Sequence, residues 1–138
     1  MPKHGDVYDA SCSARDTLEL IASKWAMLIL PALAAGPVRN AALLRRIGGI
    51  SQKVLTQTLR DLERSGLIVR EDKGTLPRCV EYRLSRLGKS LSRTLSVLDR
   101  WAERHFPELD AARERYDAKQ ASLRSIVPAE QLSTTSRS

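Results

Sequence analysis

Between Asn40 and Gly66 the chain reads NAALLRRIGGISQKVLTQTLRDLERSG, and this stretch limits the fold more than any other. Asn40 is placed to cap a short helix, Ala41 to Arg46, with Leu43, Leu44 and Ile47 as apolar anchors. Gly48-Gly49 supplies a tight turn. Ser51 then caps a longer helix that runs to Ser65, where Gly66 gives the left-handed stop that suits a residue without Cβ. A short helix, a glycine turn and a longer capped helix form a helix-turn-helix. The longer helix has two faces. Leu55, Leu59 and Leu62, with Val54 and Thr58, make an apolar stripe, and Lys53, Gln57, Arg60 and Arg64 point away from it, with Gln52 and Thr56 alongside.

Beyond Gly66 the period changes from helical to alternating. Leu67, Ile68 and Val69 read as a short strand, and Asp72-Lys73-Gly74 as a turn. On the return strand Val80, Tyr82 and Leu84 alternate with Cys79, Glu81 and Arg83. This is a hairpin with one face on the core and one in solvent, a wing. The expected fold class is mainly α with a small β-hairpin, a winged helix-turn-helix carrying a long dimerisation helix.

Upstream, residues 1–11 are polar and aperiodic and read as a flexible arm. A helix start follows at Ser13, with Asp16 completing a Ser-x-x-Asp capping pattern. Leu18, Ile21, Trp25, Leu28 and Ile29 recur at helical spacing, and Ser23 divides the run into two helices. Pro31 removes a backbone donor from the second of them, which Gly36-Pro37 ends. Downstream, Ser85 begins a long helix with Leu87, Leu91, Leu95, Leu98 and Ala102 on one side, expected to break at Pro107. A further helix is expected from Glu108 to about Val127, with Leu109, Ala112, Tyr116, Leu123 and Ile126 on one side, and a polar disordered tail after it. The organisation expected is therefore an arm (1–11), a DNA-binding and dimerisation domain (12–106), a C-terminal helix (107–127) and a tail (128–138).

Charge gives the surface a direction. Twenty-three Lys and Arg against sixteen acids leave a formal charge of +7, a surplus that favours polyanions. Arg45, Arg46, Lys53, Arg60, Arg64, Arg70, Lys73 and Arg78 all fall in the central stretch. The partner read from this pattern is double-stranded DNA. In helix-turn-helix proteins the N-terminal part of the second helix meets the bases, which makes Gln52, Lys53, Thr56 and Gln57 the base-reading candidates beside Ser51. Arg60 and Arg64, further along, are expected on phosphate or on neighbours such as Asp61, and Lys73 and Arg78 on phosphate or the minor groove at the wing. A protein- or RNA-binding winged helix is the alternative use of the same surface.

Several classes are excluded or disfavoured. Cys12 and Cys79 lie far apart and His4 and His105 are isolated, so no zinc pattern exists and no cofactor is expected. An enzyme reading would need Cys12 as nucleophile with one of those histidines, and no phosphate loop or carboxylate pair accompanies them. The apolar run Ala26 to Leu30 falls far short of the ~20 residues that span a bilayer, and nothing reads as a signal peptide. A reducing cytoplasm is the expected compartment. One winged helix reads one half-site, so a homodimer is expected, held by Leu91, Leu95, Leu98 and Trp101. Cys12 stands at the positive end of the first helix, near Arg15, a setting that lowers a thiol pKa.

The segments SKWAMLIL from Ser23, GISQKVLTQTLRDLERSGLIVR from Gly49 and PRCVEYRLSRLG from Pro77 resemble the HxlR-type family of bacterial winged-helix regulators, relatives of the MarR group. The resemblance covers Cys12 to Phe106. It implies homodimers on inverted repeats in promoters and an oxidant- or electrophile-sensing role for Cys12. Repression is the expected mode on separate grounds, since a small dimer without an activation domain can act by occlusion. The competing signal is a small apolar or aromatic effector near Trp25, Trp101 or Tyr116. The chain departs from the family's pattern at Pro31, Asn40 and Ala42, and at Cys79, where a basic wing residue is more typical.

Overall fold

The computed structural model describes residues 4–74 and 79–126. Within them lie α1 (Ser13–Ile21), α2 (Lys24–Ala32), β1 (Val38–Arg39), α3 (Asn40–Arg46), α4 (Gln52–Arg64), β2 (Ile68–Asp72), β3 (Val80–Leu84) and α5 (Arg86–Ile126). The chain divides into two compact units, Met1–Leu98 and Asp99–Ser138.

The first unit holds the helix-turn-helix and the wing around one core. Ala26, Ile29 and Leu30 of α2, Leu43 of α3, and Leu55, Leu59 and Leu62 of α4 are buried together, joined by Ile68, Tyr82 and Leu84 of the sheet. The sheet is antiparallel in the order β1-β3-β2. The wing is thus larger than the hairpin expected. Val38 and Arg39 pair with Tyr82 and Glu81, adding a third strand directly before α3. Two residues are too short a run for an alternating pattern to declare itself, and the preceding Gly36-Pro37 reads only as a helix end.

That strand also shifts the start of α3. Arg39 is extended and stands at the N-cap without a side-chain bond, so Asn40 is the first helical residue rather than the cap. A similar one-residue shift occurs at α1. Cys12 is the N-cap, Ser13 is already helical, and no Ser13 cap forms. Ser23 and Ser51 do cap as expected, their hydroxyls accepting from Ala26 N–H and Val54 N–H at 3.1 Å each. Pro31 lies inside α2, which ends one residue later. Gly66 takes φ +74°, and the backbone turns there from α4 into β2.

Some expected core positions are not core. Leu18 and Leu28 stay exposed, and α1 buries nothing fully. Val54 is 37% exposed, whereas Thr58 is buried and its hydroxyl donates to Val54 O at 2.8 Å. Val54 sits at the exposed edge of the apolar stripe.

The helix that begins at Arg86 does not break at Pro107. It continues to Ile126, so the expected boundary between residues 106 and 107 is absent from the backbone. Proline removes one donor and crowds the preceding turn. On a helix exposed all round at this point, the carbonyl left without a partner can bond water, and the helix persists. Residues 99–126 bury no side chain within the chain. Trp101, Phe106, Tyr116, Leu123 and Ile126 are all exposed. The tail expected from residue 128 lies outside the described residues, as does Val127. No helix among the described residues is long and apolar enough to cross a membrane.

Candidate nucleic-acid interface

The exposed side of α4 follows from its sequence. Placing Leu55, Leu59 and Leu62 against α2 and β2 turns Gln52, Lys53, Gln57, Arg60 and Arg64 to solvent, with Thr56 half-buried beside them. Along this face the amides are tied down and the cations are free. Gln52 Nε2 donates to Thr56 Oγ1 at 3.0 Å, and Gln57 Nε2 donates to Asp61 Oδ1 at 3.0 Å. Asp61 therefore engages Gln57, and neither Arg60 nor Arg64 pairs with it. Among the described residues Lys53, Arg60 and Arg64 make no ion pair, so their charges face open water. Ser51 is exposed and its oxygen is engaged in the cap.

The wing is arranged differently. Lys73 Nζ lies 3.1 Å from Glu81 and 3.9 Å from Glu71, and Arg83 bonds Glu71. A hydrogen bond from Lys73 to Glu81, reinforced by the carboxylate charge, raises the lysine pKa above its ordinary value. The Arg83 bond holds the Glu71 carboxyl below its ordinary value. The hairpin is fastened by Lys73 N–H donating to Cys79 O at 2.8 Å. Of the two expected wing cations, Lys73 is exposed but carboxylate-bound, and Arg78 lies outside the described residues. Sequence reasoning overlooked Arg39, which β1 exposes beside the wing, and the acids Glu71 and Glu81. The alternation on β3 marks Glu81 as outward-facing, but only the register shows what it opposes.

The remaining expected sites separate. Leu95 is 5% exposed and Leu91 packs on the core, so both serve the chain's own interior. Leu98 and Trp101, at 48% and 51%, stay open. Cys12 and Cys79 are free and half-buried. Asp6 N–H, 3.5 Å from Cys12 Sγ, and the Ala14 N–H lower the Cys12 pKa, opposed by desolvation and the Asp16 charge. Arg15 is directed elsewhere, to Tyr8 O at 3.4 Å and Glu19 at 3.6 Å. The expected charge effect of Arg15 is thus replaced by backbone donors. Among the described residues no cluster of His, Cys, Asp and Glu could hold a metal.

Two packed helices joined by a glycine turn, a capped helix with a bare polar face, and a small antiparallel sheet after it define a winged helix-turn-helix DNA-binding protein. The chain belongs to the HxlR-like helix-turn-helix family, whose model matches residues 20–110. It is 41% identical over 123 residues to the HTH-type transcriptional regulator YkvN of Bacillus subtilis, covering 89% of this chain and 97% of that one. Among solved structures, the transcriptional regulator YtfH of Salmonella typhimurium superposes with a TM-score of 0.76 at 37% identity, over 80% of this chain and 99% of that one. The redox regulator HypR in its reduced form gives 0.66 at 29% identity, over 72% and 98%. The protein is a transcription regulator of this type.

Proposed function

We propose that the protein is a homodimeric repressor that binds an inverted-repeat operator through α4 and the wing. The observation that carries this is the α4 face, where Lys53, Arg60 and Arg64 are exposed and unpaired beside two oriented glutamines. Gln52, Lys53, Thr56 and Gln57 read base edges: lysine donates to guanine, and a glutamine amide pairs with adenine. Arg60 and Arg64 hold phosphate, as do the Ser51 hydroxyl proton, Lys73 and Arg78. Repression follows from occlusion of the promoter.

Dimerisation is supported by the exposed apolar residues of α5. Residues 99–126 of α5 bury no side chain within the chain, so Leu98, Trp101 and the apolar positions beyond them call for a second copy. Two copies then set the recognition helices about 34–36 Å apart, one helical turn of DNA. For the signal, the lowered Cys12 pKa supports oxidant or electrophile sensing, in keeping with the redox regulator among the structural neighbours. Oxidant-triggered release from DNA that survives Cys12→Ser would assign the signal to an effector instead.

The DNA reading is tested by anisotropy titrations on a duplex enriched by in vitro selection and on a shuffled duplex. Lys53→Ala and Gln57→Ala are expected to reduce discrimination between the two, each base contact contributing about 1–3 kcal/mol. Lys73→Ala is expected to weaken binding while leaving the base preferred at each operator position unchanged. Equal losses on both duplexes for all three variants would overturn the assignment.

A further inference from the structure

The wing sets two carboxylates against each other. Glu71 on β2 and Glu81 on β3 are directly opposed in the register, a placement unfavourable for like charges. Among the described residues two cations bond the pair, and Arg39 on β1 stands opposite Glu81 in the register. Arg83 bonds Glu71 from the far side, and the Lys73 ammonium reaches both acids, at 3.1 Å from Glu81 and 3.9 Å from Glu71. Lys73 is the shared counter-ion of the pair, and its backbone is fixed at the hairpin end by the bond to Cys79 O. The cations of α4 come to DNA unencumbered. The wing cation does not.

From this geometry we infer that Glu81, backed by Glu71, is a specificity-determining positioning residue that competes with DNA phosphate for Lys73. The inference rests on the phosphate contact assigned to Lys73 above. Taking Lys73 to a phosphate leaves Glu71 and Glu81 opposed with one counter-ion fewer. In a loosely seated complex a single phosphate does not displace the carboxylates, and the wing adds little. When base contacts along α4 seat the duplex in register, phosphate is held against the wing and the exchange goes forward. Non-specific binding is almost wholly phosphate attraction, so a tethered wing cation suppresses it more than it suppresses operator binding.

The test is a salt series by anisotropy on the selected and shuffled duplexes, with Glu81→Gln, Lys73→Ala and the double variant. Glu81→Gln is isosteric and relieves the opposed charges, so the wing keeps its fold. It is expected to tighten binding to the shuffled duplex by about 3- to 10-fold and to the selected duplex by less, lowering the ratio between them. Its plot of log affinity against log salt steepens by about 0.9 on the shuffled duplex, a further loss of about 3.5-fold between 50 and 200 mM. Glu81→Asp, which keeps the charge, restores the original slope. In the Lys73→Ala background the gain from Glu81→Gln disappears. A gain that persists undiminished without Lys73, or a loss of affinity in Glu81→Gln, overturns the inference while leaving the wing contact standing. If Lys73→Ala changes neither affinity nor slope in either background, the wing contact itself is wrong and the inference falls with it.

Discussion

Gly88 sits in the first turns of α5, where helix propensity and packing make opposite demands. A helix-interior Gly→Ala change is ordinarily favourable by about 0.8–1 kcal/mol. At this site a Cβ would stand 1.9 Å from the Leu67 carbonyl oxygen, 3.0 Å from the Leu67 carbonyl carbon and 3.3 Å from Leu84 Cδ2. The oxygen must retreat by more than ~1 Å to reach ordinary contact, and it is backbone, not the end of a flexible side chain. It also accepts from Ser85 N–H at 3.0 Å, so its retreat strains the junction between β3 and α5. Overpacking of this kind costs about 1–3 kcal/mol or more, and a rigid obstacle places it at the upper end. Net of the propensity gain, Gly88→Ala is expected to destabilise by about 2 kcal/mol, lowering Tm by about 10 °C for a unit of this size. Thermal and urea unfolding followed by circular dichroism measure it. Gly48→Ala is the control, since nothing lies within 4 Å of its added Cβ, and it is expected within about 1 kcal/mol of the parent. A Gly88→Ala protein as stable as the parent would show that α5 does not press on Leu67 as described.

Ser51→Ala removes the acceptor of Val54 N–H and is expected to cost about 1 kcal/mol in urea unfolding, and a cost near zero would mean that the cap contributes nothing. The Cys12 pKa is lowered by the Asp6 and Ala14 donors, so in a Cys79→Ser background its alkylation rate should reach half-maximum at a lower pH than that of an unfolded cysteine peptide. The donors are lost on unfolding, so this stabilisation is complete above the unfolded thiol pKa and disappears as pH falls through the folded one. An alkylation midpoint at or above the peptide value refutes the donor geometry. The parent is expected to be a dimer by light scattering at micromolar concentration, and the double variant Leu98→Glu/Trp101→Glu a monomer. A monomeric parent would remove the dimer from the proposal.

The helix-turn-helix was legible because each boundary is a local event. Ser51 and Gly66 act on donors, acceptors and dihedrals within a few residues of themselves, and the Leu55–Leu59–Leu62 stripe needs only a period. What stayed hidden depends on distant partners. β1 exists because Val38 and Arg39 meet residues of β3 more than forty positions away, and no pattern in two residues announces that. The division of the α5 leucines into core and open positions likewise turns on where the rest of the unit ends. Leu91 and Leu95 find neighbours, and Leu98 does not. Pro107 misled for the opposite reason. A helix break is a local rule, overridden here because the helix around it is exposed and water can serve the carbonyl left over. The candidate DNA face was readable as chemistry, but its ion pairing was not, since Lys73 and Glu81 meet only through strand register.

These local and distant features converge at one junction. The Ser85 hydroxyl donates to Gly66 O, at the end of α4, and accepts from Gly88 N–H at 3.0 Å, in the first turn of α5. The Ser85 N–H donates to Leu67 O, at the entry to β2, while the chain arriving at Ser85 is the end of β3. Four elements therefore share one hydroxyl and one carbonyl: α4, both strands of the wing hairpin, and α5. Gly88 has no side chain because that convergence leaves no room for one. The first turn of α5 is therefore tied to Gly66 at the end of α4 and to Leu67 at the root of the wing. The wing that carries Lys73 and the α4 face proposed to read bases are thus anchored to the same point.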